Sequence, residues 1–119
     1  MLKYFEIENT VIAELTDEKF IISQPQDILD LIGDSVSYNC SRLMIREQNL
    51  HTDFFRLNTG LAGEILQKFS NYNFKLAVIG DFSKYKNKSL QDFIRESNKG
   101  RSIFFVNTRE DALNKMIRK

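Results

Sequence analysis

A chain of 119 residues, 42% apolar and 28% charged, is long enough to bury a core of its own without a metal or a disulfide. Its 17 basic and 16 acidic side chains leave a formal charge of +1, interleaved along the chain, which lowers the expectation of a nucleic-acid partner, since phosphate backbones call for a basic face. One cysteine, Cys40, and one histidine, His51, exclude an intramolecular disulfide and offer no metal-ligand spacing, so no metal or cofactor is expected.

Tyr4 to Glu8 alternates, with Phe5 and Ile7 on one face and Tyr4, Glu6 and Glu8 on the other. Val11 to Leu15 is a second strand, and Asn9-Thr10 between the two predicts a tight hairpin turn. Thr16 to Lys19 is polar and reads as a turn, after which Phe20-Ile21-Ile22 either extends an edge strand or packs on the core. Ser23-Gln24-Pro25 opens the first helix, since proline is tolerated where the amide would have no partner. Ile28, Leu29, Ile32 and Val36 form its apolar stripe, and Asn39 ends it.

Leu43-Met44-Ile45 is a short apolar strand. A long second helix follows, capped by Asn58 or Thr59, with Leu61, Ala62, Ile65, Leu66, Phe69 and Tyr72 on one face. Leu76 to Ile79 is the next strand, closed by Gly80-Asp81. Ser89 is expected to cap a third helix carrying Leu90, Phe93 and Ile94, with Gly100 as its left-handed terminator. Ile103 to Val106 is the last strand, and Thr108 caps a final helix with Ala112, Leu113, Met116 and Ile117 inward.

The order is β-β-α-β-α-β-α-β-α in a single domain, 1–119. The later strands are apolar without alternation, as strands buried on both faces are. A mixed, mostly parallel sheet with an N-terminal antiparallel hairpin and right-handed crossovers is expected. The start, Met1-Leu2-Lys3-Tyr4-Phe5-Glu6, does not read as a signal peptide, and no apolar run approaches bilayer length, so a cytoplasmic location without membrane contact is expected.

Ligands of open α/β sheets meet the carboxyl ends of strands and nearby helix starts. That rule selects Arg46 to Asn49, Leu57 to Gly60, Gly80 to Ser83 with Lys84 to Lys88, and Asn107-Thr108. Thr59 is either an ordinary cap or a hydroxyl open to phosphorylation, beside amides that would hold an anion. Asp81 either closes a turn or binds a metal or acts as a base. Glu47 and Asp81 would make an acid/base pair only if they meet across neighbouring strand ends. Lys84, Lys86 and Lys88 surround Tyr85 as a basic loop. Cys40 reads as a packing residue and His51 as a loop residue. Gly80 reads as a turn or as a close approach of two backbones. No phosphate loop, dinucleotide fingerprint or hydrolase elbow is present.

Three stretches carry a resemblance: Thr59 to Phe69, Gly80 to Tyr85 and Asp92 to Gly100. Together they resemble the bacterial domain-of-unknown-function family 4180 over nearly the whole chain. More distantly, Leu57-Asn58-Thr59-Gly60-Leu61-Ala62-Gly63 is similar to the helix-start motif of STAS domains, the group that includes anti-sigma-factor antagonists. Phe104 to Leu113 resembles their last strand and helix. That resemblance implies a STAS-like fold and a regulatory, protein-binding role, with the phosphorylatable hydroxyl falling on Thr59. Leu57 stands where those domains carry an acid, and Asn58 where they carry the first hydroxyl.

Three functions follow, in order of expectation. The first is a STAS-like regulatory or protein-interaction module using Asn58, Thr59 and Gly60. The second is a domain for a small ligand or anion, with Glu47, Asp81, Ser83 and Lys84 as contacts. An acid/base enzyme built on Glu47 and Asp81 comes last. Exposed edge strands leave room for a homodimer.

Overall fold

A computed structural model describes residues 2–117. The elements are β1 (Leu2–Ile7), β2 (Thr10–Leu15), α1 (Pro25–Val36), β3 (Arg42–Arg46), α2 (Leu61–Asn71), β4 (Lys75–Ile79), α3 (Lys88–Lys99), β5 (Ile103–Val106) and α4 (Arg109–Met116). Three short 3-10 turns, Glu47–Asn49, Thr52–Phe55 and Leu57–Thr59, link β3 to α2. The strands form one sheet in the order β1-β2-β3-β4-β5, with β1 and β2 antiparallel and the remaining pairs parallel.

This order explains the layering. Each of the three crossovers moves one strand in the same direction. Right-handed connections then put all three helices on the same face. Ile28, Leu31 and Ile32 of α1, with Ala62, Ile65 and Phe69 of α2, pack there on Leu43, Ile45, Leu76, Val78 and Phe105. The other face belongs to α4, whose Ala112 and Met116 pack on Ile12, Met44, Ala77 and Phe104. The crossover helices therefore cover one face only, and the double burial of β3 and β4 needs the C-terminal helix as well. Burying each large side chain in this core stabilises the fold by about 1.5–3 kcal/mol.

Several local expectations shift by a residue or a turn. The hairpin turn is Glu8-Asn9, with φ of 50° and 63°, and Thr10 pairs with Ile7. A two-residue turn of type I′ needs two left-handed residues, and β-branched Thr10 resists that geometry, whereas Asn9 accepts it. Ile22 makes one parallel bridge to Leu50 and is fully buried, so the segment after β2 docks on the β3–α2 connection. On α1, Leu31 and Ser35 are buried while Val36 is 61% exposed. The Ser35 hydroxyl donates to the Leu31 carbonyl at 2.9 Å, which makes its burial affordable.

Asn39 ends this region in a left-handed conformation, φ 54°. Tyr72 lies beyond the buried face of α2 and is exposed. Asn87, not Ser89, caps α3, its side chain accepting from the Leu90 amide at 3.0 Å. Gly100 has φ −83° and is not left-handed. Asn98 supplies the order there: its side chain bonds both the amide and the carbonyl of Phe105, tying the end of α3 to β5. Thr108 caps α4 as expected, accepting from the Asp111 amide at 3.0 Å. Among the described residues no helix is long and apolar enough to cross a membrane.

Candidate functional site

The exits of β3 and β4 lie side by side, Arg46 pairing with Ile79. Side chains alternate along β3, so Arg46 points to the α4 face and Glu47 continues onto the crossover-helix face. Gly80 follows β4 directly beneath Glu47. A Cβ built on Gly80 would lie 2.7 Å from Glu47 Cβ, so this glycine answers a close approach rather than a turn alone.

Glu47 is the centre of a small network. Lys84 Nζ sits 2.6 Å from its Oε2, and the Tyr85 phenol donates to the same oxygen. Burial, reinforced by the Glu47 carboxylate, pushes the Tyr85 phenol well above its ordinary range. Tyr85 stacks on Phe55, with centroids 4.7 Å apart, and Phe55 lies 6.2 Å from Phe82. These rings join the 3-10 segment to the loop after β4.

Between them lies a cleft of about 560 Å³. Ile21, Leu50 and Phe55 form apolar walls; Glu47, His51, Lys84 and Tyr85 supply the polar groups. His51 Nδ1 accepts from the Asp53 amide at 3.0 Å, so a neutral ring carries its proton on Nε2 as a donor. The Glu47–Asn49 turn beside the cleft is held by Asn49, which is buried and itself borders the other face of the strand ends. Its Nδ2 donates to the carbonyls of Asp17 and Phe20 at 3.0 and 2.9 Å, and its Oδ1 accepts from the Arg46 amide at 3.0 Å. Every bonding capacity of that side chain but one acceptor lone pair goes into fixing the loop.

The expected site residues thus separate into three groups. Glu47 and Lys84 meet and share the cleft. Asp81 turns to its own loop, accepting from the Ser83 amide at 3.1 Å and the Ser83 hydroxyl at 2.6 Å. Those bonds hold the Asp81 carboxyl below its usual range, which is the turn-closing role. Glu47 and Asp81 therefore take different partners. Lys86 reaches the Ser83 carbonyl and Lys88 pairs with Asp92, so the lysine cluster disperses and only Lys84 faces the carboxylate.

Asn58, Thr59 and Gly60 form an exposed turn that does not line this cleft. Gly60 is the residue preceding α2, at φ 80°, where the sequence pointed to Asn58 or Thr59. The Thr59 hydroxyl lies 2.7 Å from the Asp53 carbonyl and 2.9 Å from that of Arg56, either of which can take its proton, and it accepts from the Leu61 amide at 3.3 Å. Cys40 is a buried packing residue whose thiol bonds the Arg42 carbonyl at 3.2 Å, and burial raises its pKa. Among the described residues no group of three potential ligands could hold a metal ion.

Tyr85, Phe55 and His51 were not singled out by sequence reasoning as site residues. Aromatic rings flanking a lysine-rich loop look like core, and only the contact across the sheet's edge gives them a shared cleft.

The fold and cleft define a single α/β domain with a partly apolar pocket over the carboxyl ends of two central parallel strands. The chain belongs to the family described as domain of unknown function DUF4180, whose model matches residues 7–116. No curated protein matches it.

Proposed function

We propose that this domain binds a small organic molecule in the cleft above β3 and β4. The observation that carries the reading is the convergence of Glu47, Lys84, Tyr85 and His51 on a cavity of about 560 Å³ walled by Phe55, Leu50 and Ile21. Ligand pockets combine such an apolar lining with a few placed polar groups, in roughly 300–1,000 Å³. Lys84 is 56% exposed along its side chain, so its bond to Glu47 is open to exchange for a ligand group. A flat, partly apolar ligand with one acidic or acceptor group fits this lining: its body against Phe55, its polar end on Lys84 and His51. The test is a thermal-shift screen of soluble metabolites on the wild type and on Phe55→Ala. A saturable rise in Tm that the variant loses supports the reading; a screen with no stabilising compound counts against it.

A second reading, a regulatory domain that docks a protein through Asn58, Thr59 and Gly60, is favoured by the exposure of all three. Phosphorylation of Thr59 would replace its bonds to Asp53 and Arg56 with a charge of about −1.5 to −2. Mass spectrometry of the native protein is the direct check: absence of phosphate at Thr59 under every growth condition, together with an unaltered partner profile for Thr59→Glu, removes this reading.

A further inference from the structure

The opposite side of the same strand ends holds a second charged cluster. Glu14 lies on β2 in register with Ile12, facing α4, and its residue exposure is only 5%. A carboxylate so buried requires compensation. Arg109, the first residue of α4, bonds it with two nitrogens: Nε at 3.0 Å from Oε2 and Nη2 at 2.9 Å from Oε1. Arg46, from the end of β3, adds Nη1 at 2.7 Å from Oε2. These bonds hold the Glu14 carboxyl below its ordinary range.

One carboxylate is thus set under two guanidiniums. Each guanidinium carries five N–H donors in a rigid fork, and one carboxylate cannot use them all. Among the described residues neither has a second acidic partner. Both remain accessible, Arg46 at 29% and Arg109 at 46% of side-chain surface. They border a depression of about 500 Å³ whose rim also carries Lys3, Thr16 and Glu18. Three cationic and two anionic side chains line it, so the excess charge is positive.

The geometry points to an oxyanion site here, taking a phosphate group, with Arg46 and Arg109 as ligands and Lys3 as a rim contact. Glu14 is a positioning residue: it presses both forks into fixed orientations, so an incoming phosphate meets preorganised donors. The site is on the other face from the Glu47 cleft and stands independently of the reading given to that cleft.

The test is titration of the whole chain with inorganic phosphate, at ionic strength matched with chloride, followed by amide NMR. Expected are saturable shifts centred on Glu14, Arg46 and Arg109, with a Kd in the millimolar range. Arg46→Lys keeps a cation on Glu14 but loses the fork, and should weaken binding about tenfold. Lys3→Gln touches no bond of the clamp and should weaken it by a smaller factor, with the fold intact. No saturable shift beyond chloride, shifts centred on Glu47 and Tyr85 instead, or unchanged affinity in both variants would overturn the site. Two further arms separate the sources of such a group. Binding of glycerol phosphate without sedimentation on phosphatidic acid vesicles assigns a soluble monoester, and phosphate-competed sedimentation assigns a lipid headgroup.

Discussion

Glu14 and Glu47 stand on opposite faces of the sheet at the same end, and both are largely removed from water, with side chains 7% and 14% exposed. Their partners differ. Glu14 is held by two arginines from distant elements, β3 and α4, so it joins the last helix to the centre of the sheet. Glu47 is held by Lys84 and Tyr85, neighbours on one loop, and the lysine is mostly in solvent. A carboxylate locked by planar forks from separate elements becomes part of the architecture. One held by a flexible ammonium keeps a partner that can be exchanged. Similar burial therefore serves two ends, and the reach and exposure of the partner decide which.

The comparison breaks most readily at Glu14. Glu14→Ala should remove the charge-assisted bonds that tie Arg46 and Arg109 together and cost about 2–3 kcal/mol in urea unfolding. Its folded pKa lies below the unfolded value, so its stabilisation is complete above the ordinary carboxylate range and is lost as pH falls through the folded pKa. Glu14→Gln should therefore flatten the acid limb of a stability–pH profile. An unchanged acid limb would show that the clamp contributes little to folding.

Gly80→Ala comes next, at about 1–3 kcal/mol, because the new methyl must displace Glu47 or the backbone beneath it. The same variant should loosen the Phe55–Tyr85 stack, read as altered ring shifts by NMR. Loss of stability without movement of those rings would separate Gly80 from the cleft. Thr59→Val should cost about 1 kcal/mol, from the hydroxyl bonds that hold the turn before α2. Faster amide exchange at Leu61 is the local signature.

The smallest effect is a titration. Burial acts first and the Glu47 charge second in raising Tyr85, so Glu47→Gln should lower the phenol's pKa only part of the way to its ordinary value. Tyr85 is raised on folding, so its stabilising contribution is complete below the unfolded phenol pKa and declines as pH rises above it. In Glu47→Gln that alkaline loss should be shallower. A phenol that titrates identically in the variant, by ultraviolet difference spectroscopy, would detach Tyr85 from Glu47.

Much of the architecture was legible because it rests on short-range patterns. Continuous runs such as Leu76 to Ile79 name buried strands, amphipathic stretches name helices, and Thr108 names a cap. Two of the slips were themselves local: Asn87 rather than Ser89 caps α3 by accepting from the Leu90 amide, and Ser35 is buried with its hydroxyl on the Leu31 carbonyl while Val36 stays exposed. One signal for the clamp was present: Glu14 falls at an inward position of an apolar run, where a charge needs a partner. Nothing along the chain names Arg109, which is 95 residues away.

Taken alone, the sequence determined the order of elements, the parallel character of the sheet and its single antiparallel hairpin, since these follow from periodicity and connection handedness. Only the tertiary structure decided which polar side chains meet. It paired Glu47 with Lys84 and Tyr85, left Asp81 to Ser83, and brought Arg46 and Arg109 together on Glu14. The reason is physical: strand and helix propensities act over a few residues, whereas the pairing of charges depends on which strand exits become neighbours once the sheet has closed.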